Sequence, residues 1–151
     1  MKVETKTTRE IKFRGKRTNC NEWIEGHYVN YIDCRGAENH LIYYRNGNPN
    51  YVYPETVGQY IGLKDKNGVE IYEGDIVKAK LVDIVKKRGK WVNVFTYEDF
   101  AVEYIQEDTG FRFRSEENKT EYYIMQDTEL EVIGNIYDKE AVNELKKESD
   151  K

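Results

Sequence analysis

Glu73 and Asp75 flank Gly74 in the run EGD, and two carboxylates this close could hold a cation or divide the roles of acid and base. The competing reading is structural. An Asp in a turn bonds its own backbone and a Gly supplies the conformation, which makes Gly74 and Asp75 a turn that launches a strand. Cys34 stands beside Arg35, whose charge would favour a thiolate, yet no base accompanies it. Ser115 lies in the polar run RSEEN with no His near in sequence. His27 and His40 are the two histidines, and no C-x-x-C or H-x-x-x-H spacing joins them to other ligands, so neither a metal nor a cofactor is expected. His27 reads as exposed and His40 as a loop residue. Cys20 and Cys34 read as free thiols of a reducing compartment. Phosphate-binding Gly loops, the G-x-S-x-G elbow and the dinucleotide fingerprint are all missing, and no catalytic residue is assigned.

One segment carries binding chemistry. Lys86, Lys87, Arg88 and Lys90 adjoin Trp91, the pairing of cations for phosphates with a flat ring for a base that small β-domains use on single strands. Two observations weigh against it: an isoelectric point near 5.4 and the option of turning Trp91 into the core. Surplus aromatic surface favours a protein partner or self-association instead. The chain holds thirteen Tyr, and the pairs Tyr43-Tyr44 and Tyr122-Tyr123 each put one ring on either face of a strand.

Net charge is −4, unevenly spread. Lys2, Lys6, Arg9, Lys12, Arg14, Lys16 and Arg17 face only Glu4 and Glu10 in the first segment. Lys78, Lys80, Lys86, Lys87, Arg88 and Lys90 face only Asp83 in the second, while residues 98–131 are strongly acidic. Interleaving of these charges across neighbouring strands is the simpler expectation.

The elements that must position these residues are strands. In YIGLKDKNGVEIYEGDIVK, at 60–78, the polar bridge ends in Asn67-Gly68, residue types that tolerate positive φ in a hairpin, and Val69 and Ile71 then alternate with Glu70 and Tyr72. Residues 1–8 read as a flexible arm. Strands are predicted at 11–14, where Gly15 breaks the run, and at 23–31 and 41–45, with NGNPN as a loop and a helical turn at Pro54-Glu55-Thr56. Further strands are predicted at 76–85, 91–97, 100–105, 111–113, 122–125 and 130–137. This spacing suggests a small barrel over 63–137 behind an elaborated N-terminal β region, 9–62. Asp138 is a good N-cap for a short C-terminal helix over 138–151. With no long apolar run and no signal-like N-terminus, a cytoplasmic protein without membrane association is expected.

Four runs carry a family resemblance: REIKFRGKR at 9–17, WIEGHYV at 23–29, PETVGQYIGLKDKNGVEIYEGDIVK at 54–78 and EVIGNIYD at 131–138. In this order they are similar to the YopX family of phage and prophage proteins, with residues 79–130 departing from the pattern. The resemblance implies a mainly β, SH3-like barrel in a single domain over 9–151, without catalytic residues to carry over. The expectation is a non-enzymatic phage or prophage accessory protein that binds a host or phage protein or assembles with itself. Nucleic-acid binding through 86–91 is the alternative, and an enzyme the remaining one.

Overall fold

The computed structural model describes residues 10–45, 47–107, 109–115, 121–123 and 129–138, with the backbone alone at 82–85 and 121–123. The predicted arm at 1–8 and all but the first residue of the predicted C-terminal helix lie outside these residues. The chain forms two compact units that divide between Gly62 and Leu63. Both are mainly β and built from antiparallel pairs.

The first unit contains β1 (Phe13–Lys16), β2 (Trp23–Ile32), β3 (Glu38–Tyr43), β4 (Pro49–Tyr51), a 3-10 turn at Pro54–Thr56, and β5 (Gly58–Lys64), whose last two residues belong to the second unit. Strand order is β4-β3-β2-β1-β5. The sheet curls until β4 returns to the end of β1: Arg17 bridges Val52, Thr18 N donates to Tyr51 O, and Tyr53 N donates to Lys16 O. Leu41, Ile42, Val52 and Tyr60 are buried in this unit. Gly15, expected to end a strand, instead lies inside β1. A Cβ there would meet Val52 Cβ at 3.2 Å and Ile42 Cδ1 at 3.3 Å, so the strand needs Gly for close packing. His40, expected in a loop, lies in β3, and Pro49 opens an edge strand, the position in a sheet that a missing N–H tolerates.

The second unit contains β6 (Glu70–Tyr72), β7 (Asp75–Lys87), β8 (Lys90–Ile105), β9 (Gly110–Ser115), β10 (Glu121–Tyr123) and β11 (Leu130–Asn135). Strands β10-β9-β8-β7-β11 form one sheet. Where the sheet is widest, Ile76, Val77, Ala79, Phe100, Ala101, Val102, Phe113 and Leu130 are buried, and the Phe100 and Phe113 rings stack at 5.8 Å. Ala101 and Val102 are adjacent and both buried, so both faces of β8 are covered here.

A closed small barrel was the expectation for this half, and the five strands instead form an open sheet among the described residues. Strands β7 and β8 are 13 and 16 residues long and continue past their neighbours, pairing there only with each other among the described residues. The two separate strands predicted at 91–97 and 100–105 are accordingly one.

Candidate functional site

Strands β7 and β8 pair without a break from Ile76 opposite Ala101 to Lys87 opposite Lys90. On the flanks, β11 reaches only to Ala79 opposite Leu130, with one further bond from Lys80 N to Glu129 O, and β9 reaches only to Ser115 opposite Phe100. Residues 81–97 therefore form a two-stranded ribbon with no third strand among the described residues. At 3.3 Å per residue it projects by about 25 Å. Its tip is a two-residue loop in which Arg88 (φ 48) and Gly89 (φ 80) both have positive φ. That is the conformation in which a hairpin turn matches strand twist.

Cross-strand partners share a face, and alternate residues along a strand share one too. Trp91, Phe95 and Tyr97 therefore line one side of the ribbon, 69%, 54% and 58% exposed. Trp91 is not turned into the core. Lys86, opposite Trp91, holds its Nζ 5.8 Å from the indole centroid, and Lys80 Nζ lies 4.7 Å from the Phe95 centroid. The rings stand about 13 Å and about 7 Å apart along the strand. Lys86, Lys87, Arg88 and Lys90 face one acid, Asp83, within residues 81–97, while Lys80 at the root of the ribbon holds its Nζ 3.5 Å from Glu129 Oε2. A ribbon that is basic and aromatic thus extends from an acidic chain.

The two turns singled out in the sequence lie at the root of the same unit. Gly68 has φ +81, while Asn67 keeps negative φ, so the loop is a type I turn followed by one left-handed residue. Asp65 does what sequence reasoning missed. Its Oδ1 accepts from Asn67 N (2.8 Å) and Val69 N (2.9 Å), and its Oδ2 accepts from Val132 N (3.0 Å) in β11. The available signal was an Asp opening the turn D-K-N-G. Gly74 has φ +86, donates its N–H to Val102 O and accepts from Ile136 N. Asp75 is 1% exposed, with Oδ2 accepting from Tyr72 N (2.8 Å) and Oδ1 from Asn135 Nδ2 (3.3 Å). Buried and committed to these donors, the Asp75 carboxylate belongs to the packing of β6, β7 and β11.

In the first unit, Tyr28 Oη lies 2.5 Å from His40 Nδ1, and His40 Nε2 lies 3.4 Å from Glu38 Oε1, which also accepts from Asn30 Nδ2 at 2.9 Å. A phenol, an imidazole and a carboxylate in series are also the parts of an activated nucleophile. Here Tyr28 packs against Phe13 at 5.6 Å and against the His40 ring, and the series ties β2 to β3. Cys20 and Cys34 are exposed free thiols, His27 is exposed, and Ser115 is buried. No group of three or more His, Cys, Asp or Glu suited to a metal occurs among the described residues. Nor is any helix among them long and apolar enough to cross a membrane.

A family model described as YopX protein matches residues 12–141, most of the chain and every strand from β1 to β11. The chain belongs to the YopX family. No curated protein matches it. Within this YopX-family chain Asp65 and Asp75 of the turn motif are hydrogen-bonded to backbone N–H groups, and Trp91, Phe95 and Tyr97 of the ribbon are exposed.

Proposed function

We propose that this YopX-family protein is a non-enzymatic, phage-associated binding protein whose β7–β8 ribbon holds single-stranded nucleic acid. The observation that carries the reading is the exposure of Trp91, Phe95 and Tyr97 on one face, bordered by Lys80 and Lys86. Base–aromatic stacking tolerates any sequence because every base has a π-face, and cations beside the rings meet the phosphates. Arg88 adds weight. A non-Gly residue at positive φ costs about 1 kcal/mol where Asn or Gly would cost less, so a guanidinium at the tip is held against backbone preference.

A homotypic contact is the second reading, favoured by Val29, Tyr31, Tyr43 and Tyr51, which share one face of the first unit and are all exposed. An SH3-like relation is supported by the consecutive strands β7-β8-β9 and by Gly74-Asp75 opening the first of them. The C-terminal helix after Asp138 rests on its sequence pattern.

The test is fluorescence anisotropy with labelled single-stranded oligonucleotides over a salt series. Binding should weaken steeply with salt because each neutralised phosphate releases counterions. Replacing Lys86, Lys87, Arg88 and Lys90 by Ala should flatten that dependence, and Trp91→Ala should cost about 1 to 3 kcal/mol per stacked base. Absence of salt-sensitive binding at low ionic strength would transfer the ribbon to a protein partner. A pull-down from bacterial lysate, with and without nuclease, would then seek that partner.

A further inference from the structure

The first unit contains a second place where an indole, a guanidinium and side-chain amides converge, independent of the ribbon. The β2–β3 ladder begins only at His27 opposite Tyr43, so the first residues of β2, Trp23 onward, run past the end of β3. A cleft of about 550 Å³ lies there, lined by Trp23 and Glu25 from β2, Arg17 from the end of β1, and Tyr44, Asn48 and Asn50 around the β3–β4 loop. Its volume is in the range of sites that take small organic ligands.

The groups around it define the ligand. Trp23 is half-buried and has Arg14 Cζ at 4.7 Å and Lys16 Nζ at 5.4 Å from its ring centroid. Arg17 pairs through Nη2 with Glu22, and its Nε is shielded from solvent with no hydrogen-bond partner among the described residues. Glu25 stands directly across the β1–β2 ladder from Arg14. Asn50 donates its Nδ2 to Asn48 O at 3.1 Å, which fixes the plane of one lining amide. Planar rings for stacking, the Arg17 guanidinium at the cleft wall with Lys16 and Arg14 against the indole, and amides able to meet a base edge are the complement of one ligand class.

We infer that this cleft binds a nucleoside 5′-monophosphate, with the base against Trp23 and Tyr44 and the phosphate on Arg17. Binding is non-covalent, and the site is separate from the ribbon in sequence and in unit.

Trp23 reports on it. Trp91→Phe leaves Trp23 as the one indole of the chain, and its fluorescence is titrated with adenosine 5′-monophosphate, adenosine, inorganic phosphate and a neutral oligosaccharide. The nucleotide should give a saturable change, with adenosine and phosphate each at least about tenfold weaker, the loss expected for one charge-assisted contact or one stacked ring. In the same background Arg17→Met should weaken the nucleotide by about tenfold while leaving adenosine unchanged. Arg17→Lys, which keeps the charge without the planar fork, should fall between and serves if Arg17→Met does not fold. A flat titration to millimolar nucleotide, equal affinity for adenosine, a stronger response to the oligosaccharide, or nucleotide binding indifferent to both Arg17 variants would each overturn the inference. Replacing Lys86, Lys87, Arg88 and Lys90 by Ala should leave this titration unchanged, so a failure of the ribbon reading and a failure of this one are told apart.

Discussion

Asp65→Asn removes one charge and one acceptor at a point where three backbone N–H groups converge. Asn67 N and Val69 N lie on Oδ1 and Val132 N on Oδ2, and the residue is only 7% exposed. An Asn side chain retains one carbonyl oxygen. It can serve Asn67 and Val69, and its NH₂ then faces the Val132 N–H, donor against donor. A buried donor left without an acceptor costs about 1 to 3 kcal/mol, so Asp65→Asn should destabilise the second unit by about 2 kcal/mol. Asp65→Ala, which orphans all three, should cost more. Urea denaturation followed by circular dichroism reads this as a lower midpoint, by about 1 M at a slope of about 2 kcal/mol/M. Lys66→Ala is the control. Its Nζ meets Glu131 at 2.6 Å, but both side chains are about two-fifths exposed, so the loss should stay below about 1 kcal/mol. Acid should close the gap between wild type and Asp65→Asn. Burial alone would push the Asp65 carboxyl up, and the N–H groups of Val132, Val69 and Asn67, with Lys66 nearby, outweigh it and hold it below its ordinary 3.8. A carboxyl depressed in the folded state contributes stability above its unfolded value and loses it as pH falls through the folded one, so the difference should shrink below about pH 4. An Asp65→Asn midpoint equal to wild type at neutral pH would refute the assignment of Asp65 as the tie between the turn and β11.

Gly68→Val should destabilise the second unit by more than Lys66→Ala, because Gly68 sits at φ +81, which a β-branched residue resists; equal urea midpoints would show that the turn tolerates it. Gly26→Ala should lower the thermal midpoint of the first unit sharply, since the new Cβ would fall inside the contact distance of the Tyr43 carbonyl, and an unchanged midpoint would mean that β2 and β3 can separate there at no cost. Arg88→Asn should stabilise the ribbon by about 0.5 to 1 kcal/mol through its tolerance of positive φ. In the same variant single-strand affinity should fall, and a gain in both would remove the functional reading of the tip. If Val29, Tyr31, Tyr43 and Tyr51 form a homotypic surface, light scattering should find a dimer or larger assembly at micromolar concentration and a monomer after Tyr51→Lys; a monomeric wild type would dismiss it.

Alternation of apolar and polar residues and the placing of Gly and Asn by themselves determined that the chain is mainly β and where most strands turn. The residues from Tyr60 to Lys78 announced β5, β6 and the start of β7 because positive φ and period two are local requirements, met or failed within a few residues. The four motifs also identified the family. What remained closed to sequence depended on partners distant in the chain. Gly15 reads as a break, yet it is the close approach of Val52 and Ile42 that makes it part of a strand. Asp65 reads as a polar linker, yet its third hydrogen bond comes from Val132. Trp91 carried two opposed readings because a period-two pattern says which residues share a face and never which face is covered. Only the lengths of β11 and β9, which among the described residues reach Ala79 and Phe100 on their neighbours, leave the three rings of the distal ribbon exposed. Closure of a barrel is likewise a matter of which strands meet, and β7 and β8 outrun the strands that would have to meet them.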